Sequence, residues 1–149
     1  MKGFQLRDAR PEDAPAMAEI LTDWLTRTPW LPNLHTPQQN RAFCGKLIDQ
    51  KAVTVAEQDQ HVVGFLAQRA AEIDALYVAQ GAWRQGIGHA LLSAAKAKHA
   101  RLELWTFQAN LEARAFYACE GFFELRRTDG QDNDEKLPDI RFAWERTPT

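Results

Sequence analysis

Apolar positions recur along this chain with two different periods, and each change of period marks an element. Phe4-Gln5-Leu6-Arg7 alternates with period two and predicts a short first strand. Pro11 to Asp13 supplies a proline and acidic side chains, the chemistry of a helix start. Ala14, Met17, Ile20, Leu21, Trp24 and Leu25 follow at three- and four-residue spacing, one apolar stripe along a helix that Thr28-Pro29 ends. Within the irregular stretch after it, Thr36 stands where it caps a second helix with Pro37 in first position. That helix would carry Phe43, Leu47 and Ile48 toward the core. Ala52 to Glu57 and His61 to Gln68 alternate around a polar turn at Gln58 to Gln60, a hairpin pattern.

The second half changes period again at short intervals. Ile73 to Val78 reads as a strand, Gly86 to His99 as a helix and Leu102 to Phe107 as a strand. Asn110 to Glu120 reads as a helix closed by Gly121, because glycine takes the left-handed conformation that ends helices. Phe122 to Arg126 and Ile140 to Trp144 complete the strands, with a polar, acid-rich loop from Thr128 to Asp139 between them. No repeat, linker or low-complexity tract interrupts the pattern. The expectation is one domain over residues 1–149, a mixed sheet with helices on it, of the α/β or α+β class.

Composition narrows the function. The 149 residues are 45% hydrophobic and 26% charged, as in an ordinary globular domain. Lys and Arg number 18 against 20 Asp and Glu, a net charge of −2 that argues against nucleic acid as a partner. Cys44 and Cys119 lack metal-ligand spacing, so neither a metal nor a disulfide is expected, and Cys119 reads as a small buried helical residue. Without a secretion signal or an apolar run of roughly 20 residues, the expected setting is the cytoplasm, with no membrane partner.

The chemistry concentrates between Ile73 and Leu92, IDALYVAQGAWRQGIGHALL. A strand, a turn, a Gly-x-Gly step and a helix aim free N–H groups and a positive helix end at one small volume, which suits a phosphate-bearing ligand. A nucleotide P-loop is excluded because no Lys-Ser/Thr pair follows the glycines. The dinucleotide fingerprint fits poorly, because Leu91 stands in its sixth place and about four strands precede it.

Trp83-Arg84-Gln85-Gly86-Ile87-Gly88 after Leu76-Tyr77-Val78 resembles the acyl-CoA-binding motif of the GNAT superfamily of N-acetyltransferases, [Q/R]-x-x-G-x-[G/A], with the eight-residue spacing from Val78 to Gly86 kept. Trp83 stands where that family usually has Gln or Arg. Asn110 to Phe122, NLEARAFYACEGF, is similar to the family's N-x-x-A-x-x-[F/L]-Y-x-x-x-G-F segment with its whole spacing, and Arg7 to Ala14 is similar to its common opening.

The resemblance implies a largely antiparallel sheet of about six to seven strands, splayed at its centre and flanked by about four helices. Residues up to about 70 would form the acceptor side and 71–149 the acetyl-CoA-binding core. Ile73–Val78 would part from Leu102–Phe107 to admit pantetheine. Groups of Leu76, Tyr77 and Val78 would bind it, the Val78 N–H polarising the thioester carbonyl, and amides from Arg84, Gln85, Gly86, Ile87, Gly88 and His89 would hold the diphosphate. Asn110 would reach the pantetheine or simply cap its helix. Tyr117, which reads equally as a core aromatic beside Phe116, takes through the matched segment the role of the acid that protonates the leaving thiolate.

The base is less determined. Glu72 and Asp74, two apart on one strand edge, would share a face beside the slot, Glu72 being preferred and His35 a distant third; both carboxylates also fit solvated strand positions. Trp24, Trp30 and His35 are candidates for the acceptor wall, where aromatic faces attract cations. The acidic late loop could attract a cationic acceptor or be merely solvated. The expected activity is acetyl-CoA-dependent N-acetylation of a small primary amine by direct attack in a ternary complex. A peptide N-terminus or lysine side chain, or a non-catalytic acyl-CoA-binding module, are the alternatives, and self-association as a homodimer is left open.

Overall fold

The computed structural model describes residues 3–147. Its strands are β1 (Gln5–Asp8), β2 (Ala52–Gln58), β3 (His61–Arg69), β4 (Glu72–Val78), β5 (Arg101–Phe107), β6 (Phe123–Thr128) and β7 (Asp139–Glu145). They form one seven-stranded sheet in the order β1-β2-β3-β4-β5-β7-β6. Four α-helices accompany it: α1 (Ala14–Thr26), α2 (Pro37–Gln50), α3 (Ile87–Lys98) and α4 (Leu111–Cys119). Every neighbouring pair is antiparallel except β4 and β5, so the two antiparallel halves meet at a single parallel contact.

Successive strand residues point to opposite faces of the sheet, both faces carry apolar side chains, and a helix pair covers each. Met17, Ile20 and Leu21 of α1 and Cys44 and Leu47 of α2 pack against Val53, Val55, Phe65 and Ala67. On the opposite face Ile87, Leu91 and Leu92 of α3 and Tyr117 of α4 pack against Leu66, Ile73, Leu102, Leu104, Ile140 and Phe142. Burying such side chains contributes on the order of 1.5–3 kcal/mol each against an exposed reference.

The predicted face of α1 is the observed one. In α2 the Thr36 capping box forms as its sequence predicts, with Gln39 N–H donating to the Thr36 hydroxyl at 3.1 Å and the Gln39 side chain accepting from the Thr36 N–H at 2.8 Å. Phe43, however, is exposed, and its neighbour Cys44 takes the core position, its thiol pushed up to about 11 by burial. The correction has a simple source: the buried stripe of α2 runs along Asn40, Cys44 and Leu47, and Phe43 sits at its edge. Cys119 is likewise exposed, because Tyr117 is the one residue of α4 that reaches full burial.

Between β1 and α1 the Asp13 carboxylate accepts from the Arg7 guanidinium at 2.8 and 3.0 Å and from the Arg10 N–H at 2.7 Å. The Arg7 bond is the main cause holding this carboxyl below the usual range. A depressed folded-state value stabilises the fold above the unfolded value of about 3.9, and this is lost as pH falls through the folded one. Asp13→Asn is therefore expected to cost about 1–2 kcal/mol at pH 7, a deficit that shrinks below pH 4. Urea denaturation at the two pH values measures it.

The candidate cofactor cleft and transfer site

The β4–β5 contact is confined to one end of the two strands. Glu72 opposes Glu103 and the Glu103 N–H donates to the Ala71 carbonyl at 2.9 Å; no further residue of either strand pairs with the other. Beyond that point the strands part. Arg141 of β7 clasps the junction, donating to both Glu72 oxygens at 2.8 and 2.5 Å and to Glu103 at 3.0 Å.

Which backbone groups face the gap follows from the β3–β4 register. Ala79 N–H donates to the Val63 carbonyl at 2.8 Å, and Gly64 opposes Val78, Phe65 opposes Tyr77 and Leu66 opposes Leu76. Hydrogen-bonded and non-bonded pairs alternate in an antiparallel ladder. Leu76 and Val78 are thus in non-bonded pairs with β3, and their N–H and C=O groups point toward β5, into the cleft.

A cavity of about 380 Å³ runs from this cleft to the start of α3. Leu76, Tyr77, Val78, Arg84, Gly86, Ile87, Gly88, His89, Asn110 and Tyr117, all predicted cofactor contacts, line it together. The loop before α3 turns through the left-handed region at Arg84 (φ 66°) and Gly86 (φ 82°). Gly86 caps α3 without a side-chain acceptor, so the first-turn amides stay available to an anion. At Gly88 an added Cβ would lie 3.2 Å from the Phe116 ring, so glycine lets α3 start close against α4. Gly88→Ala is expected to weaken acetyl-CoA binding roughly three- to tenfold by shifting that ring, as titration calorimetry would read. Gln85 stands apart, because its side chain accepts from Gln58 at 2.7 Å and does not line the cavity.

Helix α4 sets the other wall. The Asn110 side chain caps it, accepting from the Ala113 N–H at 3.1 Å, while Asn110 also borders the cavity. Gly121 (φ 90°) ends the helix, and the Phe122 N–H returns to the Tyr117 carbonyl at 2.9 Å. Tyr117 lies among Phe116, Phe122 and Phe142, with ring centroids 5.2, 5.3 and 6.1 Å away. Its hydroxyl makes no hydrogen bond to any described residue, yet it is not sealed from the cavity. Burial raises its pKa well above the ordinary phenol value, so it keeps its proton.

The two carboxylates of β4 are separated by a bulge. Ala67 opposes Ala75 while Gln68 opposes Ile73, which leaves Asp74 as the extra residue. Asp74 borders the cleft and pairs with Lys51 at 3.0 Å. Glu72, the carboxylate preferred from sequence, does not line the cleft and is held bidentate by Arg141. His35 is exposed and lines none of the cavities described.

Beside α1 an aromatic chain bridges the parted strands. Trp24 meets Tyr77 at 5.1 Å, Trp30 meets Trp24 at 6.4 Å edge-on, and Trp30 meets Phe107 at 5.8 Å. Burial pushes the Tyr77 hydroxyl up to about 12. Sequence reasoning missed Phe107, Trp105 and Thr106, which line the β5 side, and the clasp residue Arg141. For Phe107 the available signal was its place at the end of a strand expected to diverge; Arg141 carried none. A second cavity of about 500 Å³ adjoins them beneath the late loop, where Glu135 is half-buried and has no partner among the described residues.

A sheet parted after one parallel pair, over free amides at a glycine-started helix, is the architecture of an acyl-CoA-dependent transferase. The chain belongs to the acetyltransferase (GNAT) family, whose profile matches residues 14–122. It is 30% identical over 146 residues to the peptidyl-lysine N-acetyltransferase YiaC of Escherichia coli (strain K12), covering 93% of this chain and 95% of that one. Among solved structures, apo YjaB from Escherichia coli superposes with a TM-score of 0.81 at 20% identity, over 97% of this chain and 99% of that one. A ribosomal-protein-alanine N-acetyltransferase from Brucella melitensis gives a TM-score of 0.72 at 24% identity, over 95% and 99%. The protein is an N-acetyltransferase with a mixed, splayed α/β sheet. Among the described residues no helix is long and apolar enough to cross a membrane, and no group of three or more His, Cys, Asp or Glu gathers as metal ligands.

Proposed function

We propose that the protein moves the acetyl group of acetyl-CoA to a primary amine by direct attack in a ternary complex. The observation that carries this reading is the parting of β4 from β5 over a cavity lined by ten predicted cofactor contacts. Pantetheine lies in the gap, hydrogen-bonded to the inward-facing groups of Leu76 and Val78. The diphosphate rests on the amides at Gly86, Ile87, Gly88 and His89, beside Arg84.

Three tasks then fall to named groups. The amine nitrogen attacks the thioester carbon as its carbonyl oxygen gathers charge, and the Val78 N–H is the donor waiting there. Asp74 receives the amine's proton, directly or through a water, from its place on the cleft. As the carbon–sulfur bond breaks, the Tyr117 hydroxyl gives its proton to the sulfur, whose own affinity for a proton rises in an apolar slot that solvates a thiolate poorly. Trp24, Trp30 and Phe107 wall the acceptor's approach, where aromatic faces hold an ammonium before it loses its proton.

A second acceptor class is favoured by one observation. The relative from Escherichia coli, matched over nearly its whole length, is named for peptidyl-lysine, so a lysine side chain of a peptide stands beside a small amine as the acceptor of this chain. The test is release of free thiol from acetyl-CoA with two panels, lysine-containing peptides and small aliphatic amines. Turnover with either supports acetyl transfer and the panel identifies the class. Acetyl-CoA binding with no turnover in either panel would leave the non-catalytic module as the reading.

A further inference from the structure

Trp83 is the one place where the phosphate-loop motif departs from its family pattern, and the structure gives the indole three connections. Its Nε1–H donates to the Val78 carbonyl at 2.9 Å. The Arg27 guanidinium, at the C-terminal cap of α1, lies over its ring at 5.2 Å. Its side chain borders the cofactor cavity together with Gly86 and Gly88, and remains 37% exposed, so one part of the ring is open to whatever fills that space.

The first contact matters because of where the Val78 carbonyl points. The β3–β4 register turns both polar groups of Val78 into the gap, away from β3. A strand carbonyl at a parted edge, with no neighbouring strand to pair with, is an acceptor that water or ligand must satisfy. Here Trp83 satisfies it from within the chain. The Val78 carbonyl shares its peptide plane with the Ala79 N–H, which donates to the Val63 carbonyl at 2.8 Å, so the Trp83 bond and the β3 bond together hold the end of β4 against twisting. The Trp83 bond also fixes the distance between the end of β4 and the diphosphate-binding turn, since Trp83 lies only three residues before Gly86.

We infer that Trp83 is a positioning residue for the acyl donor. It locks the end of β4 to the phosphate loop so that the Val78 N–H and the amides at Gly86 to His89 are held at the fixed separation that one pantetheine diphosphate arm must span. The stack with Arg27 braces this assembly against α1, the helix that carries Trp24 of the acceptor wall. The inference rests on the proposed use of acetyl-CoA, and it deepens that reading by assigning a donor-specific role to a side chain outside the chemistry.

Trp83→Phe tests it, because phenylalanine keeps an aromatic face for Arg27 while losing the Nε1–H together with part of the indole bicycle. The expected result is a KM for acetyl-CoA raised roughly five- to twentyfold, with the acceptor KM unchanged and kcat altered less than about threefold. The melting temperature should stay within a few degrees of the unaltered protein. Acetyl-CoA titration should also change the indole fluorescence of the unaltered protein, and most of that change should vanish in the variant. An unchanged KM for acetyl-CoA overturns the inference. So does a fall in kcat and melting temperature with both KM values raised alike, which would mark Trp83 as a fold residue only. Failure of the unaltered protein to bind acetyl-CoA at all would instead remove the proposed function, and this inference with it.

Discussion

Tyr117→Phe is expected to lower kcat by roughly a hundredfold or more while leaving the affinity for acetyl-CoA within about twofold. The substitution removes one oxygen from a ring that is otherwise held by Phe116, Phe122 and Phe142, so the wall of the cleft stays in place. Because the hydroxyl has no hydrogen-bond partner among the described residues, its loss leaves none of their buried polar groups unsatisfied, and the effect is confined to the chemistry. The pH profile carries the same information with a definite sign. The acid must be protonated to act, and burial raises its pKa above the ordinary 10.0, which extends the active range upward. An alkaline limb of kcat below about pH 9 in the unaltered enzyme, or near-normal turnover in Tyr117→Phe, would remove the acid role from this residue.

Arg141→Ala is expected to be the most damaging single change to the fold near the site. Its guanidinium is the shared cation of Glu72 and Glu103, the two residues that meet at the only parallel pair in the sheet. Removing it leaves two partly buried carboxylates facing each other at the junction, with Arg101 as the remaining neighbour of Glu103. The cost of orphaning such charges is large when they are buried, and these side chains are 31% and 28% exposed, so about 1–3 kcal/mol is expected after screening. Activity should fall beyond what the stability loss explains, because the junction fixes where β4 and β5 begin to part. Thermal denaturation together with kcat/KM at a temperature well below the transition separates the two effects. A variant with unaltered stability would show that the backbone pair alone holds the junction.

That the motif residues would line one cavity was legible because that part of the candidate site is built mostly from backbone. Gly86 and Gly88 mark a turn and a close approach that other residues cannot make, Asn110 marks a cap and Gly121 a helix end, and the spacing between them survives as a pattern in one dimension. The strands were legible because short apolar-rich runs bounded by polar turns mark them, and every strand lies within two residues of its predicted position. What the sequence concealed depends on partners far away along the chain. Glu72 and Asp74 read as equivalent positions on a regular strand; the bulge at Asp74, and the arrival of Arg141 from a strand 69 residues later, separate them. Phe43 drew the core assignment in α2 because it is the larger apolar residue, yet the geometry of that face admits Cys44. The late loop read as a solvated acidic segment. Its acidic residues Asp129, Asp132 and Asp134 are exposed, and what the sequence did not show is the Asn133 side chain that orders it, donating to the Leu137 carbonyl at 2.8 Å and to Asp139 at 3.2 Å.

Acetyl-CoA use by this chain requires the gap between β4 and β5 to receive the pantetheine arm while the first turn of α3 receives the diphosphate. Amide chemical shifts followed during titration with CoA read both ends at once. Saturable shifts should centre on Leu76 and Val78 at the cleft and on Gly86, Ile87, Gly88 and His89 at the helix start, with Asn110 following. Saturation with those amides unmoved, and shifts gathered elsewhere on the sheet, would contradict it.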